Sequence, residues 1–274
     1  MPPPSITLGQ GIHVLHLFFR VDRVRWAALP TGESAAAHAR LEAIATKFAG
    51  PAAPRVATYA GVGGKADLGF MIYAAELQQL SAMQREVELA FPAGALQLVY
   101  SYLSVTELPE YVTTEDDMKR MIQHGERKLQ PGTPEFDEAF AAAKTRNDEY
   151  KHYRLNPELP DWEIMCFYGM TKKRDLADNW YMLDFDTRKK LMGSHAKTGR
   201  KYAGRISQLI TGSTGMDEYE WGVTLIAHQL DAVKEIIYEM RFDEVSARFG
   251  EFGPFYINLR LQPADLWEHL KLGA

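Results

Sequence analysis

The sequence predicts an α+β protein made of two copies of one ferredoxin-like plan joined by a helical connector. Three observations carry this: an internal repeat, the same order of strand and helix signals in both halves, and a charged stretch between them. Sliding the chain on itself sets Gly69 against Gly222, a shift of 222 − 69 = 153, and aligns Phe70-Met71-Ile72-Tyr73-Ala74 with Val223-Thr224-Leu225-Ile226-Ala227. The match continues into helical positions, with Leu77 on Leu230 and Leu80 on Val233. Self-similarity at a fixed shift is the mark of a duplicated structural unit.

In the first half, the apolar and aromatic run from His13 to Val21 reads as a strand, and Ser34 to Phe48 as a helix with Ser34 as its cap. Strands follow at Val56–Ala60 and Asp67–Tyr73, then a helix over Ala75–Phe91 and a strand over Leu96–Val105. The order is β-α-β-β-α-β. The second half repeats it: a strand over Glu163–Met170, a helix over Phe185–Tyr202, strands over Ile206–Thr211 and Glu220–Ile226, a helix over Asp231–Phe249 and a strand over Phe255–Leu261. Between them, Glu115–Leu129 and Pro134–Tyr150 read as helices separated by Gln130-Pro131-Gly132. The resulting division is 1–108, a connector over 109–160, and 161–274. A connector of this length is expected to cover a site or a subunit contact.

The bulk numbers narrow the function classes. With 274 residues and 46% apolar content the chain is long enough for a continuous core, and its net charge of −5 argues against nucleic acid as a partner. No apolar run reaches the length of a membrane helix, and Met1 to Gln10 lacks the regions of a signal peptide, so a cytoplasmic protein without a membrane partner is expected. The single cysteine, Cys166, reads as a buried strand residue. Glycines in Tyr59–Lys65 join two strands and lack the spacing of a phosphate loop, so they read as a hairpin turn.

Some residues carry chemistry as well as structure. Alternation along the strand from Trp162 places Ile164, Cys166, Tyr168, Met170 and Lys172 on one face. Taken alone, that is the pattern of a core aromatic with a lysine at the strand end. His195 lies in Leu191-Met192-Gly193-Ser194-His195-Ala196-Lys197-Thr198-Gly199, where small neighbours let a flat ligand approach the imidazole. The alternative is a surface histidine at a helix break on Gly193 or Gly199. Arg241 adjoins the apolar stripe of Val233, Ile236, Ile237 and Met240, a position suited to a carboxylate. No histidine has the ligand spacing of a zinc site.

The second half carries a set of motifs in fixed order: Asn179-Trp180-Tyr181-Met182-Leu183, Gly199-Arg200-Lys201-Tyr202-Ala203-Gly204, Ile210-Thr211-Gly212-Ser213, Tyr219-Glu220-Trp221-Gly222-Val223-Thr224-Leu225, and Ile237-Tyr238-Glu239-Met240-Arg241-Phe242-Asp243-Glu244-Val245-Ser246-Ala247. With Gly250-Glu251-Phe252-Gly253-Pro254-Phe255 they resemble the coproheme decarboxylases, the haem-forming branch of the chlorite dismutase family. The resemblance is dense from Arg154 to Leu261; the first half agrees in layout and in Tyr100-Ser101-Tyr102-Leu103-Ser104-Val105.

The resemblance implies a dimeric α+β barrel subunit, a homopentamer, and transient contact with coproporphyrin ferrochelatase. It implies Fe-coproporphyrin III as substrate and redox cofactor, hydrogen peroxide as oxidant, and haem b as product after loss of propionates 2 and 4. His195 takes the place of the iron ligand. Tyr168, in the pattern Tyr168-x-Met170-x-Lys172, takes that of the tyrosine that becomes a radical, and Lys172 lies near a reactive propionate. Met170 belongs to the same binding set, and Arg154, Arg241, Ser246 and Tyr111 are implied as partners of the propionates. Gln208 stands where true chlorite dismutases carry arginine, and a neutral amide cannot supply that charge to an oxychlorine anion. Two features depart from the relatives: Gly169 replaces a proline, which is expected to loosen the strand, and the stretch from Glu110 to Tyr153 is longer.

Overall fold

The computed structural model describes residues 6–273, so part of the N-terminal stretch read for a signal peptide lies outside the described residues. The first half contains β1 (His13–Val21), a short α1 (Arg23–Ala27), α2 (Glu33–Lys47), β2 (Arg55–Val62), β3 (Leu68–Ala74), α3 (Leu77–Ala90) and β4 (Leu96–Thr106). The connector holds α4 (Glu115–His124) and α5 (Pro134–Leu155). The second half contains β5 (Ile164–Lys172), α6 (Phe185–Arg200), β6 (Ile206–Gly212), β7 (Trp221–Ala227), α7 (Leu230–Met240), α8 (Glu244–Phe249), β8 (Gly250–Phe252) and β9 (Tyr256–Arg260), and α9 (Pro263–His269) closes the chain.

The repeat seen in sequence is structural: Gly69 and Gly222 lie on β3 and β7, and Leu77 and Leu230 open α3 and α7. Two expectations fail in detail. Ser34 does not cap α2: the helix starts at Glu33 after Gly32, and the Ser34 hydroxyl donates instead to the Leu272 carbonyl. The helix expected from Asp231 to Phe249 is two helices, because Asp243 caps α8 and its carboxylate accepts the Ser246 backbone N–H at 2.9 Å. An acid at that position satisfies a free N–H of a new first turn, which favours a restart over continuation.

Strand order is β4-β1-β3-β2 in the first half and β9-β5-β7-β6 in the second, all antiparallel, so each half has the ferredoxin-like arrangement. The halves join twice. β4 meets β6 through Val105↔Gly212, and β2 meets β9 from Tyr59↔Arg260 to Val62↔Ile257. These seams close the sheet into a barrel, which removes the open edges each half has alone. On one side of β5 the pairing is shared: β9 takes Ile164 to Phe167 and β8 takes Met170 to Lys172.

One face of the closed sheet holds a core drawn from both halves, including Val14, Phe18, Met71, Tyr102, Met165 and Phe167. His16 belongs to this interior, stacked on Phe167 at 4.1 Å with Nε2 3.0 Å from Thr224 Oγ1, and burial lowers its pKa to about 3. It is a neutral core residue. Cys166 is fully buried, as expected, and burial raises its thiol pKa to about 12.

The outer faces of the two halves differ, and the difference locates the site. Over the first half, Leu41 of α2, Leu80 and Met83 of α3 and Leu266 of α9 form a continuous core with Leu17, Leu68 and Phe70. Over the second half, Ala232, Val233 and Ile236 of α7 and Tyr202 beyond the end of α6 pack on Cys166, Tyr168, Val223 and Leu225, while Met170, Ile210, Ile237, Met240, Phe255 and Ile257 remain half-buried. The second outer face is therefore an incompletely filled layer. No helix among the described residues is long and apolar enough to cross a membrane.

Candidate functional site

Strand register assembles the floor of the site. Tyr168 pairs with Val223 and Val223 with Ile210, while Cys166 pairs with Leu225 and Leu225 with Gln208. Since side chains alternate, Tyr168, Met170, Gln208 and Ile210 share the outer face, with Tyr168 and Gln208 two strands apart. Tyr168 is 4% exposed, its ring lies 4.5 Å from Phe255, and its hydroxyl makes no hydrogen bond to a described residue. Burial holds its pKa well above that of free tyrosine, so the phenol keeps its proton at neutral pH.

Gly169 does not loosen the strand. It pairs with Gly222 in unbroken register, and its carbonyl accepts the Gly253 N–H at 2.8 Å. A Cβ at Gly169 would stand 2.4 Å from the Tyr219 ring, and one at Gly253 would stand 2.6 Å from it. The two glycines make a slot for Tyr219, which a Cβ at either position would invade.

Helices supply the roof. α6 runs unbroken through Gly193 and Gly199, so His195 lies inside a helix and not at a break. Its Nδ1 is 2.8 Å from Asp243 Oδ2. That contact orients the ring, and Nε2 has no hydrogen-bond partner among the described residues. At Gly199, one turn on, α6 lies against Met240 and the floor: a Cβ there would make ordinary contacts with Met240 Cε at 3.4 Å and Gln208 Nε2 at 3.6 Å. Asp243 is a site residue that the sequence reading misses. Its signal is present in Asp243-Glu244-Val245-Ser246, an N-cap acid just after the apolar stripe of α7.

The cations are placed around this layer. Lys172 is buried, its Nζ lies 5.0 Å from the Trp180 ring, and it makes no ion pair or side-chain hydrogen bond to a described residue. Burial lowers its pKa to about 8, against the opposing pull of Asp243 and Glu220. Arg241, just after α7, is exposed and has no ion-pair partner among the described residues; it is not turned into the core and lines a cleft of about 350 Å³ with Val233, Ile237, Phe255 and Ile257. Arg154, on the last turn of α5, donates to the carbonyls of Glu107 and Ile210 at 3.3 and 3.4 Å, and its Nε is buried without a partner among the described residues. Ser246 is buried and its hydroxyl has no described partner. Tyr111 stands apart from the floor: its hydroxyl accepts from Arg188 Nε at 3.0 Å and its ring lies 5.4 Å from Phe185.

The described residues contain no group of three or more His, Cys, Asp and Glu that could hold a metal ion. A lone histidine backed by an acid suits a metal that arrives with its own ligands, as iron does in a porphyrin.

The family model for chlorite dismutase matches residues 34–261, most of the chain. The chain belongs to the chlorite dismutase family. Among solved structures, this chlorite dismutase family member is similar to a haem-binding protein from Thermus thermophilus, at 36% identity over 99% of both chains with a TM-score of 0.76. It is also similar to a chlorite dismutase from Candidatus Nitrospira defluvii in complex with imidazole, at 18% identity over 96% of both chains and a TM-score of 0.68, a likeness of fold alone. A doubly substituted form of the same enzyme gives 19% identity and a TM-score of 0.69.

Proposed function

We propose that this family member binds Fe-coproporphyrin III and, with hydrogen peroxide, removes the carboxyl groups of propionates 2 and 4 to leave haem b. The observation that carries the reading is the company of Tyr168: a buried phenol with a free hydroxyl, in a layer flanked by cationic groups without counter-ions. Lys172, Arg241 and the orphaned Nε of Arg154 are suited to a ligand bearing several carboxylates. The similarity to a haem-binding relative at 36% identity supports the same ligand class.

The bound iron porphyrin with peroxide would supply the oxidising power. His195 would ligate iron through Nε2, with Asp243 holding its other nitrogen. Gln208 offers a neutral hydrogen-bonding group from the sheet. Met170 packs beside Tyr168, and Lys172, Arg154, Arg241 and Ser246 bind and orient the propionates. Because burial keeps Tyr168 protonated, oxidation takes an electron and a proton from it together. The phenoxyl would then take a hydrogen atom from the propionate β-carbon, and passing a second electron to the peroxide-oxidised iron porphyrin would release carbon dioxide and leave a vinyl group. Each carboxyl lost consumes one peroxide, which is reduced to two waters.

Purified protein titrated with peroxide in the presence of Fe-coproporphyrin III is expected to pass through a three-propionate porphyrin to haem b, followed by mass. Tyr168→Phe is expected to bind and not turn over; full turnover by that variant overturns the radical role. Oxygen release from chlorite, with coproheme left intact, would favour the chemistry named for the family's other members, against which Gln208 speaks. The same reading places the protein in the cytoplasm as a homopentamer. There Tyr111, tied to Arg188 at the start of the connector, would be a further partner of the propionates, and coproporphyrin ferrochelatase would supply the substrate by transient contact.

A further inference from the structure

We propose that Trp180 is the residue that positions Lys172, its indole face holding the ammonium while leaving the N–H donors free for a substrate carboxylate. This rests on the substrate class proposed above. The Lys172 ammonium lies 5.0 Å from the Trp180 ring, within the range of an attractive cation–π contact, on a side chain that is almost wholly buried.

The acids that influence this cation are engaged elsewhere. Glu220, just before β7, accepts the Lys172 backbone N–H at 2.9 Å and the Thr171 hydroxyl at 2.6 Å, and also the Tyr181 hydroxyl. Asp243, between α7 and α8, is shared by His195 and the Ser246 N–H. Arg174, beyond the end of β5, acts on Glu220 and adds positive charge nearby. Among the described residues the ammonium has no hydrogen bond or ion pair, and the indole is the one ring it meets.

Trp180 is itself fixed. Its backbone N–H donates to the Lys173 carbonyl at 3.0 Å, its ring meets Phe249 edge-on at 5.4 Å, and Val245 joins the same cluster. A carboxylate in its place would neutralise Lys172 and compete with the substrate for the same donors. An aromatic face does neither, because its attraction comes from the ring quadrupole and takes up no directed hydrogen bond.

The test uses the full chain with Trp180→Leu, Trp180→Phe and Lys172→Met. Carbon-13 lysine NMR without porphyrin follows the titration of Lys172, identified by the signal missing from Lys172→Met. The wild-type midpoint is expected near the value of about 8 that burial gives. Trp180→Leu is expected to lower it by about one unit, since burial persists and the attraction is gone, with Trp180→Phe between the two. Affinity for Fe-coproporphyrin III is then measured against pH. It should weaken as pH rises through the Lys172 midpoint, and this limb should move down with the midpoint in Trp180→Leu and vanish in Lys172→Met. A folded Trp180→Leu with an unmoved midpoint overturns the role of Trp180 whatever the porphyrin does. If Trp180→Leu does not fold, an unmoved midpoint in Trp180→Phe overturns it. A midpoint that moves while porphyrin affinity ignores pH overturns the carboxylate role of Lys172, and with it the substrate reading.

Discussion

At the scale of single residues, Asp243 does two things with one carboxylate: Oδ1 caps α8 and Oδ2 holds His195. Asp243→Asn separates them, because asparagine caps a helix about as well but carries no charge for the imidazole. Thermal stability is expected to stay within about 0.5 kcal/mol of wild type, while affinity for iron porphyrin falls by roughly 10- to 100-fold. Resonance Raman should show a weaker iron–histidine stretch; an unchanged stretch would mean Asp243 serves the helix alone. Lys172 makes a second prediction, on stability. Folding lowers its pKa from 10.5 to about 8, so between these values the unfolded chain binds more protons and stability rises with pH. Lys172→Met should therefore stabilise the protein by about 3 kcal/mol below the folded pKa, a gain that fades as pH approaches the unfolded one. Denaturant midpoints of both forms at neutral and alkaline pH would measure it.

Single elements carry their own consequences. β5 accepts a glycine in mid-strand because Tyr219 occupies the space a side chain would fill. Gly169→Ala is expected to cost about 1–3 kcal/mol by overpacking, and Tyr219→Ala in the same chain should return part of it. Equal costs in the presence and absence of Tyr219 would refute the slot. In the connector, α4 is held at its start by the reciprocal Thr114 and Asp117 capping contacts, and Asp117 also accepts from Lys189 of α6 at 2.9 Å. The Lys189 contact is the largest cause of the lowered Asp117 pKa, so this anchorage is present above the usual carboxylate range and is lost as pH falls below it. Asp117→Asn should speed amide exchange in α4 by about fivefold at neutral pH, for a loss of ~1 kcal/mol. The nearby contact of Arg188 with Glu110 and Tyr111 ties the chain entering the connector to the same helix.

For the whole molecule, barrel closure makes the halves interdependent. The interior core takes Val14 and Phe18 from one half and Met165 and Phe167 from the other, and each seam joins an edge of one to an edge of the other. A fragment ending at residue 108 would expose β2, β4 and half of that interior face. It is expected to self-associate or bind a hydrophobic dye, where the full chain does not, and sizing chromatography with dye fluorescence would show this. A monomeric, dye-silent fragment would show that the first half is independently stable.

The duplicated plan, its strand and helix order and the pattern Tyr168-x-Met170-x-Lys172 are legible because repeat, alternation and helical spacing are local properties of the chain. His195 stands out for its small neighbours, but a histidine inside α6 and one at a helix break look alike in sequence. The partnership of His195 with Asp243, 48 residues on, the slot for Tyr219 and the indole face beside Lys172 are not legible. Each joins residues whose separation along the chain carries no information about their separation in space. The sequence by itself determined the elements and which side chains share a strand face. Tertiary structure decided which half keeps an incompletely filled layer and which charges go without partners, because both depend on how helices settle on a closed sheet.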